Sequence, residues 1–508
     1  MKKLFIASWC LFIALCACKR EPIAEPDPEN QNEEPEVWVP DPNDAYTATP
    51  FVQVKVTKGT NPTAVAVGEN SNAQNRSQLL DMSGYHDPNF VKRGTCFNNL
   101  PQTVADTLTR GALRWGYNWA ASPSGSYIGK GRMLNFYPMQ WGAFSALTGL
   151  ESSLKSRGAD IILGFNEPMM TGRDGGCAMT PKRAAELWPQ LEELALKYHV
   201  KLASPALTYG YEAIEGVKYG SPEAWMDKFI SEYKKLYDGR TPRFDYLVLH
   251  SYMNWPAAVD GYVSKYAKRY KVKVLLTEFC AWEQGSDPWN NINNLEKTLF
   301  PDFSFQQASM TQKVEAMDQN PNVAGYAWFN APGSANSIPW NAVYTGSRPT
   351  ELGKVYAYMS TSNTEKYYQM GVFIPAAQYV TSSNYDKSLS DAFANRIIYG
   401  ASTDTEFREV LPVELRRFMS PCFANYLINV PEAGNYTITL RFCSTGATTI
   451  VATCGSSSVL AEMTSTNGQW VDRTFNISLP AGQQALQFAA TGSHADVRLS
   501  CWMFSKAN

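Results

Sequence analysis

Two glutamates close two runs of the same design. Ile161-Ile162-Leu163-Gly164-Phe165-Asn166-Glu167-Pro168 is apolar until it breaks at Asn-Glu-Pro, and Val272-Lys273-Val274-Leu275-Leu276-Thr277-Glu278-Phe279 ends in a small polar residue and a Glu. An apolar run bounded by a breaker predicts a strand covered on both faces, as in a parallel sheet. A carboxylate at the lip of such a strand is half desolvated, which is costly unless it is neutralised or paired. That is also how a carboxyl group becomes a general acid. Either Glu alone could be a surface residue capping a turn. Two at matching strand ends of one sheet would open into one mouth. Carboxyls about 5–5.5 Å apart act as acid/base and nucleophile in retaining glycoside hydrolysis, and wider pairs admit a water and invert.

The elements that must position them begin at Lys92. Strand-like runs fall at Gly94–Phe97, Arg114–Trp119, Leu134–Met139, Ile161–Asn166, Leu202–Leu207, Phe244–Tyr252, Val272–Phe279 and Val323–Phe329, with helical patterns between most of them. Thr180-Pro181 is an N-cap with Pro at the first helical position, leading into Ala184–Tyr198; Ala224–Leu236 and Glu351–Met359 are two further helices. Alternating strands and helices predict an α/β fold, a (β/α)8 TIM barrel over 92–365, with Glu167 ending its fourth strand and Glu278 its seventh. After Met359 the helical periodicity stops. Tyr436–Phe442 and Val471–Leu479 alternate strictly between turns, so 366–508 reads as an all-β sandwich.

Asn-Glu-Pro on the fourth strand and Thr-Glu-Phe on the seventh resemble the clan of retaining glycoside hydrolases that carry catalytic Glu on those strands. More narrowly, the chain resembles glycoside hydrolase family 128, the glycosyl hydrolase catalytic core barrels that cut β-1,3-glucan. The pieces that carry this are Tyr117-Asn118-Trp119, Phe136 to Gly142, Leu163 to Pro168, Thr180-Pro181 through Leu187-Trp188-Pro189, Ser204-Pro205-Ala206, His250-Ser251-Tyr252, Leu276 to Phe279 and Tyr326 to Phe329. The resemblance implies that Glu167 is the acid/base and Glu278 the nucleophile, with Asn166 on the sugar 2-hydroxyl and His250 and Tyr252 orienting Glu278. Ser251 stands where the family commonly has an aromatic. Indoles suit the C–H faces of sugars, and Trp119, Trp141, Trp282 and Trp328 lie at or just past strand ends; two of the four are expected to touch substrate. The loop Met169–Met179 would wall the cleft. The implied partner is a β-glucan polysaccharide or oligosaccharide, with β-mannan, xylan or mixed-linkage glucan as alternative substrates, and a non-catalytic glycan-capture lipoprotein as the rival. The turn and strand at Ala433–Thr437 and the step at Gly468–Trp470 resemble family 6-type carbohydrate-binding modules, with a purely structural cap as the alternative; Trp470 and Trp502 read as core.

Residues 1–18 carry a basic start, an apolar stretch and Leu15-Cys16-Ala17-Cys18. They resemble a bacterial lipoprotein signal, which implies export, lipid attachment at Cys18 and a place in the bacterial cell envelope. Residues 19–49, rich in Pro and Glu, read as an acidic tether that cannot bury enough apolar surface to fold. Residues 50–91 read as a lead-in that packs on the domain following it. A formal charge of −2 implies no nucleic-acid partner, and a monomer is expected. No Cys/His spacing resembles a zinc site and the chain has only 4 His, so no metal and no cofactor are expected. Four of the cysteines beyond the signal, Cys422, Cys443, Cys454 and Cys501, fall in the sandwich region, where one or two bridges are possible.

Overall fold

The structure is a computed structural model that describes residues 61–70, 76–172, 175–253, 255–281, 305–331, 341–385, 397–492 and 496–507. The signal and tether, Cys18 and Trp282 lie outside the described residues.

Two short strands come first, β1 (Thr63–Val65) and β2 (Gly68–Asn70). The next eight, apart from one small hairpin, make a single parallel sheet. They are β3 (Arg93–Phe97), β4 (Trp115–Tyr117), β5 (Asn135–Phe136), β6 (Ile161–Ile162) and β7 (Lys201–Leu207), then, after the hairpin β8 (Ala213–Ile214) and β9 (Val217–Lys218), β10 (Tyr246–Ser251), β11 (Val274–Phe279) and β12 (Val323–Ala331). The sheet order is β5-β4-β3-β12-β11-β10-β7-β6, so the first and last strands of the series are neighbours and the sheet curls. Its two edges meet just past their ends, where Leu163 N donates to Pro138 O (2.9 Å) and Gln140 N to Leu163 O (3.0 Å). Every residue of β10 and β11 is buried, as continuous apolar runs covered on both faces require.

Helices fill most of the crossovers: α1 (Gln102–Thr109), α2 (Thr148–Arg157), α3 (Pro181–Lys197), α4 (Pro222–Leu236), α5 (Pro256–Tyr270), α6 (Phe305–Gln319) and α7 (Glu351–Tyr358). Their starts follow from local chemistry. Thr180 accepts from Arg183 N (3.2 Å) with Pro181 at the first helical position, Ser221 caps α4 in the same way, and Thr350 caps α7.

One buried ion pair ties the first and last strands of the series, neighbours in the sheet, to the helices beside them. Arg93, on β3, is fully buried and places all of its donors. Nε reaches Tyr326 Oη (3.1 Å), Nη1 reaches the carbonyls of Tyr356 (2.9 Å) and Met359 (3.3 Å), and Nη2 reaches Asp318 (2.9 Å) and the Ser360 carbonyl (2.6 Å). First strand, last strand, α6, α7 and the chain's exit from α7 therefore share one guanidinium. Burial pushes the Asp318 carboxyl up to about 6, against the pull of Arg93.

The C-terminal part is two mostly antiparallel sheets of 6 and 7 strands. Their inner faces meet through aromatic rings: Trp502 packs edge-on against Tyr426 (5.0 Å) and Phe488 (5.0 Å) of the opposite sheet. Trp470 is half-buried and donates to Thr403 Oγ1 (3.1 Å). Within the lead-in, β1 and β2 depart from the sequence expectation. Tyr85 does pack on the domain that follows, its ring 5.5 Å from that of Tyr358, but β1 pairs in parallel with strand Ser457–Met463 and β2 pairs antiparallel with strand Val471–Leu479, one in each sheet of the sandwich. Arg76 completes the join, bound to Glu406 (2.8 Å) and to Asp472, with its guanidinium 5.0 Å from the Phe373 ring. Sandwich and parallel sheet also meet at Glu315 of α6, which accepts from Ser382 N (3.1 Å) and Tyr379 Oη (3.1 Å), and burial pushes its carboxyl up to about 7. Cys96, Cys177, Cys280, Cys422, Cys443, Cys454 and Cys501 are all free thiols, so the bridges allowed by the cysteine count are not formed.

Removing one partner of a fully hydrogen-bonded buried pair strands the other's charge. Arg93→Met is therefore expected to cost about 3–5 kcal/mol, measured by denaturant unfolding; a loss below about 1 kcal/mol would remove Arg93 from this role.

Candidate active site

Glu167 and Glu278 are both buried, 7% and 4% exposed. They converge on one imidazole. His250 Nδ1 lies 2.7 Å from Glu167 Oε1 and 3.4 Å from Glu278 Oε2, and its Nε2 is 2.9 Å from Thr277 Oγ1. The ligating atoms of the three residues all lie within 4.8 Å of one another. Local backbone accounts for this convergence. β10 and β11 run in register until a shift between Leu249 and His250 sets His250 opposite Glu278, and such irregularities re-aim side chains. β6 stops pairing regularly after Ile162. Gly164 then passes so close to β7 that a Cβ would sit 2.9 Å from Ser204 O, and the chain turns at Glu167, whose φ of 40° is in the left-handed region. Trp119 is held the same way at φ 55°. Two non-glycine residues in this region, at about 1–3 kcal/mol each, concentrate backbone strain where it aims a carboxylate and an indole into one pocket.

Three donors converge on Glu278. Trp119 Nε1 (2.8 Å) and Tyr117 Oη (3.2 Å) donate to Oε1, and the Tyr252 hydroxyl donates to Oε2. Burial, and after it the charge of Glu278, holds the Tyr117 and Tyr252 hydroxyls well above the ordinary tyrosine range, so both stay protonated donors. Burial alone would lower the His250 pKa, but the Glu278 charge and the bond to Glu167 outweigh it and hold the imidazole above its usual value. The three residues could geometrically ring a cation.

The other sequence-selected residues divide. Asn166 donates through Nδ2 to Gly175 O (3.0 Å), while its Oδ1 is buried and has no partner among the described residues. Trp141 lies 38% exposed beside it, its carbonyl accepting from Asn166 N (2.8 Å). Ser251 Oγ is also buried without a partner. Trp328 corrects the expectation of a sugar contact: it is wholly buried, packs edge-on to Phe279 (5.1 Å) and donates to Asn341 O (2.7 Å), which makes it a packing residue. His250 corrects in part, since it bridges both glutamates and bonds to Glu167 more closely than to Glu278. Sequence reasoning passed over Tyr117 and Phe329 as site residues. Tyr117, the last residue of β4, stands two positions before Trp119 and donates to the same Glu278 oxygen. Phe329 packs against both Trp119 (5.9 Å) and Tyr252 (5.4 Å).

The glycosyl hydrolase catalytic core family matches residues 94–356, just over half of the 508 residues. The chain belongs to that family. Among solved structures it is similar to an endo-β-1,3-glucanase of glycoside hydrolase family 128, subgroup II, from Pseudomonas viridiflava (28% identity over 53% of this chain and 97% of that one, TM-score 0.44). A subgroup II endo-β-1,3-glucanase from Sorangium cellulosum gives 24% identity over 52% and 97%, TM-score 0.42. A carbohydrate-binding module from Clostridium stercorarium, in complex with cellobiose, gives 18% identity over 28% and 98%, TM-score 0.21. No curated protein matches the chain. Membership in the glycosyl hydrolase catalytic core family stands on the family match and not on these superpositions.

If the Glu278 charge helps to raise His250, Glu278→Gln should lower its titration midpoint. NMR of the 4 histidines reads this directly, and an unmoved midpoint would detach His250 from Glu278.

Proposed function

We propose that the protein is a retaining glycoside hydrolase that cleaves β-1,3-glucan within the chain, on a (β/α)8 barrel whose edges join at Leu163. The observation that carries this is the pair of buried carboxylates at the end of β11 and just past β6, with two strands between them in the sheet and one oxygen of each within 4.8 Å of the other, in keeping with the close spacing of retention. Membership in the glycosyl hydrolase catalytic core family supports the reaction class, and the family 128 motifs in the sequence support the linkage.

In this reading the glycosidic bond breaks as a Glu278 oxygen bonds to the anomeric carbon and Glu167 gives its proton to the departing oxygen. Water then attacks the glycosyl–Glu278 ester and loses its proton to Glu167, which restores both groups. Tyr117, Trp119 and Tyr252 fix the oxygens of Glu278 before attack, so little reorientation is needed in the transition state. His250, 2.7 Å from Glu167, holds the acid in line. Asn166 Oδ1, buried and unmatched among the described residues, is assigned to a sugar hydroxyl. Export with a lipid anchor at Cys18 belongs to the same reading, since a polymer substrate must be met outside the cell; so does glycan binding by the sandwich.

Glu278→Gln should reduce release of reducing ends from soluble β-1,3-glucan by at least about a thousandfold while leaving glucan retention in affinity gels intact. Hydrolysis at the wild-type rate would exclude Glu278 as nucleophile. Glu167→Ala should lose the general-acid contribution, about 10²–10⁴-fold, on glucan but far less on nitrophenyl glycosides, whose leaving group needs no proton. Equal losses on both would mean that Glu167 is not the acid.

A further inference from the structure

We propose that Tyr209, with Tyr211 beside it, is the stacking platform for the sugar on the leaving-group side of the bond that Glu167 protonates. This rests on the reading above. Among the described residues, the aromatic side chains that stand exposed are Trp141 (38%), Tyr209 (46%) and Tyr211 (58%). All three lie in the loops after β5 and β7, the two strands that flank the segment carrying Glu167. The aromatics around Glu278 differ. Tyr117 is wholly buried, and Trp119, Tyr252 and Phe329 are partly buried and pack on one another. The site is therefore enclosed on the nucleophile's side and open on the acid's side.

Tyr209 is built as a surface and not left as a loose loop residue. Its ring packs on Tyr262, centroids 5.7 Å apart and 33° from parallel. Tyr262 in turn packs edge-on to Tyr266 (5.1 Å), whose hydroxyl donates to Glu223 at the start of α4. One side of the Tyr209 ring is thus backed by a column of rings rooted in two helices, which leaves the rest of the ring to water. The loop is also fixed to the one that follows Glu167. Thr171 donates its hydroxyl to Glu212, and Gly210 passes so close that a Cβ there would lie 2.4 Å from Tyr219 O and 3.0 Å from Met169 O. The Tyr262 hydroxyl beneath it is buried and has no partner among the described residues.

A general acid protonates the oxygen that stays with the leaving sugar, so a platform locked to the acid's loop holds that sugar. A pyranose face against a rigid ring suits a tyrosine that has lost its freedom beforehand. The test compares kcat/KM on a β-1,3-linked glucose hexasaccharide with kcat/KM on a nitrophenyl β-1,3-oligoglucoside, whose leaving group is not a sugar. Tyr209→Ala should lower the hexasaccharide-to-aryl ratio about five- to tenfold, Tyr209→Trp should keep it, and Tyr209→Ala/Tyr211→Ala should lower it further. An unchanged ratio, whether from equal losses on both substrates or from no loss on either, overturns the platform while wild-type cleavage keeps the catalytic reading. Failure of the wild-type protein to cleave either substrate overturns both.

Discussion

Two carboxylates held this close in a buried pocket repel one another, and the site is arranged around that fact. At the 4.8 Å limit that bounds the cluster, two full charges would oppose each other by about 3 kcal/mol at an effective dielectric of about 20. His250 stands between them, with the Glu278 charge holding its pKa up and Glu167 at hydrogen-bond distance. The imidazole, within reach of both, offsets that repulsion. The surroundings of the two carboxylates are unlike. Glu278 collects three fixed hydrogens, and Glu167 faces a histidine that can give or take one.

That arrangement needs strand ends placed to within fractions of an ångström, and its supports lie far from the pocket. The Arg93 guanidinium joins the first and last strands of the sheet to α6 and α7, so β3 and β12 keep their register beneath β11. Left-handed backbone at Glu167 and Trp119 aims the side chains at the other end. Strain at the top is tolerated because ladders and buried pairs over-determine the bottom.

Much of this was legible in the sequence, and its limits follow from physics. Strands buried on both faces appear as unbroken apolar runs, so all eight segments were found, and the caps at Thr180 and Thr350 mark helix starts by local chemistry alone. The lengths were not legible. The run at Ile161–Asn166 pairs regularly for only two residues because Gly164 meets the β7 backbone, a tertiary contact. Trp119 and Trp328 look alike in sequence, each at a strand end; one bonds to Glu278 and the other is packing, and only the backbone turn at Trp119 separates them. The bridging place of His250 depends on a register shift that no periodicity reveals. The partners of β1 and β2 lie at the far end of the chain, beyond any local signal.

That last pairing changes what kind of object the protein is. Because β1 and β2 belong to the sandwich, the chain leaves it through residues 76–92 and returns through 359–373, so the parallel-sheet domain is an insertion between sandwich strands. The two halves share two covalent crossings. A protease that nicked either crossing would leave them joined by the other, and neither half could swivel about one hinge. On the ribosome the sandwich waits for the whole of the inserted domain to be made before its first strands meet their partners.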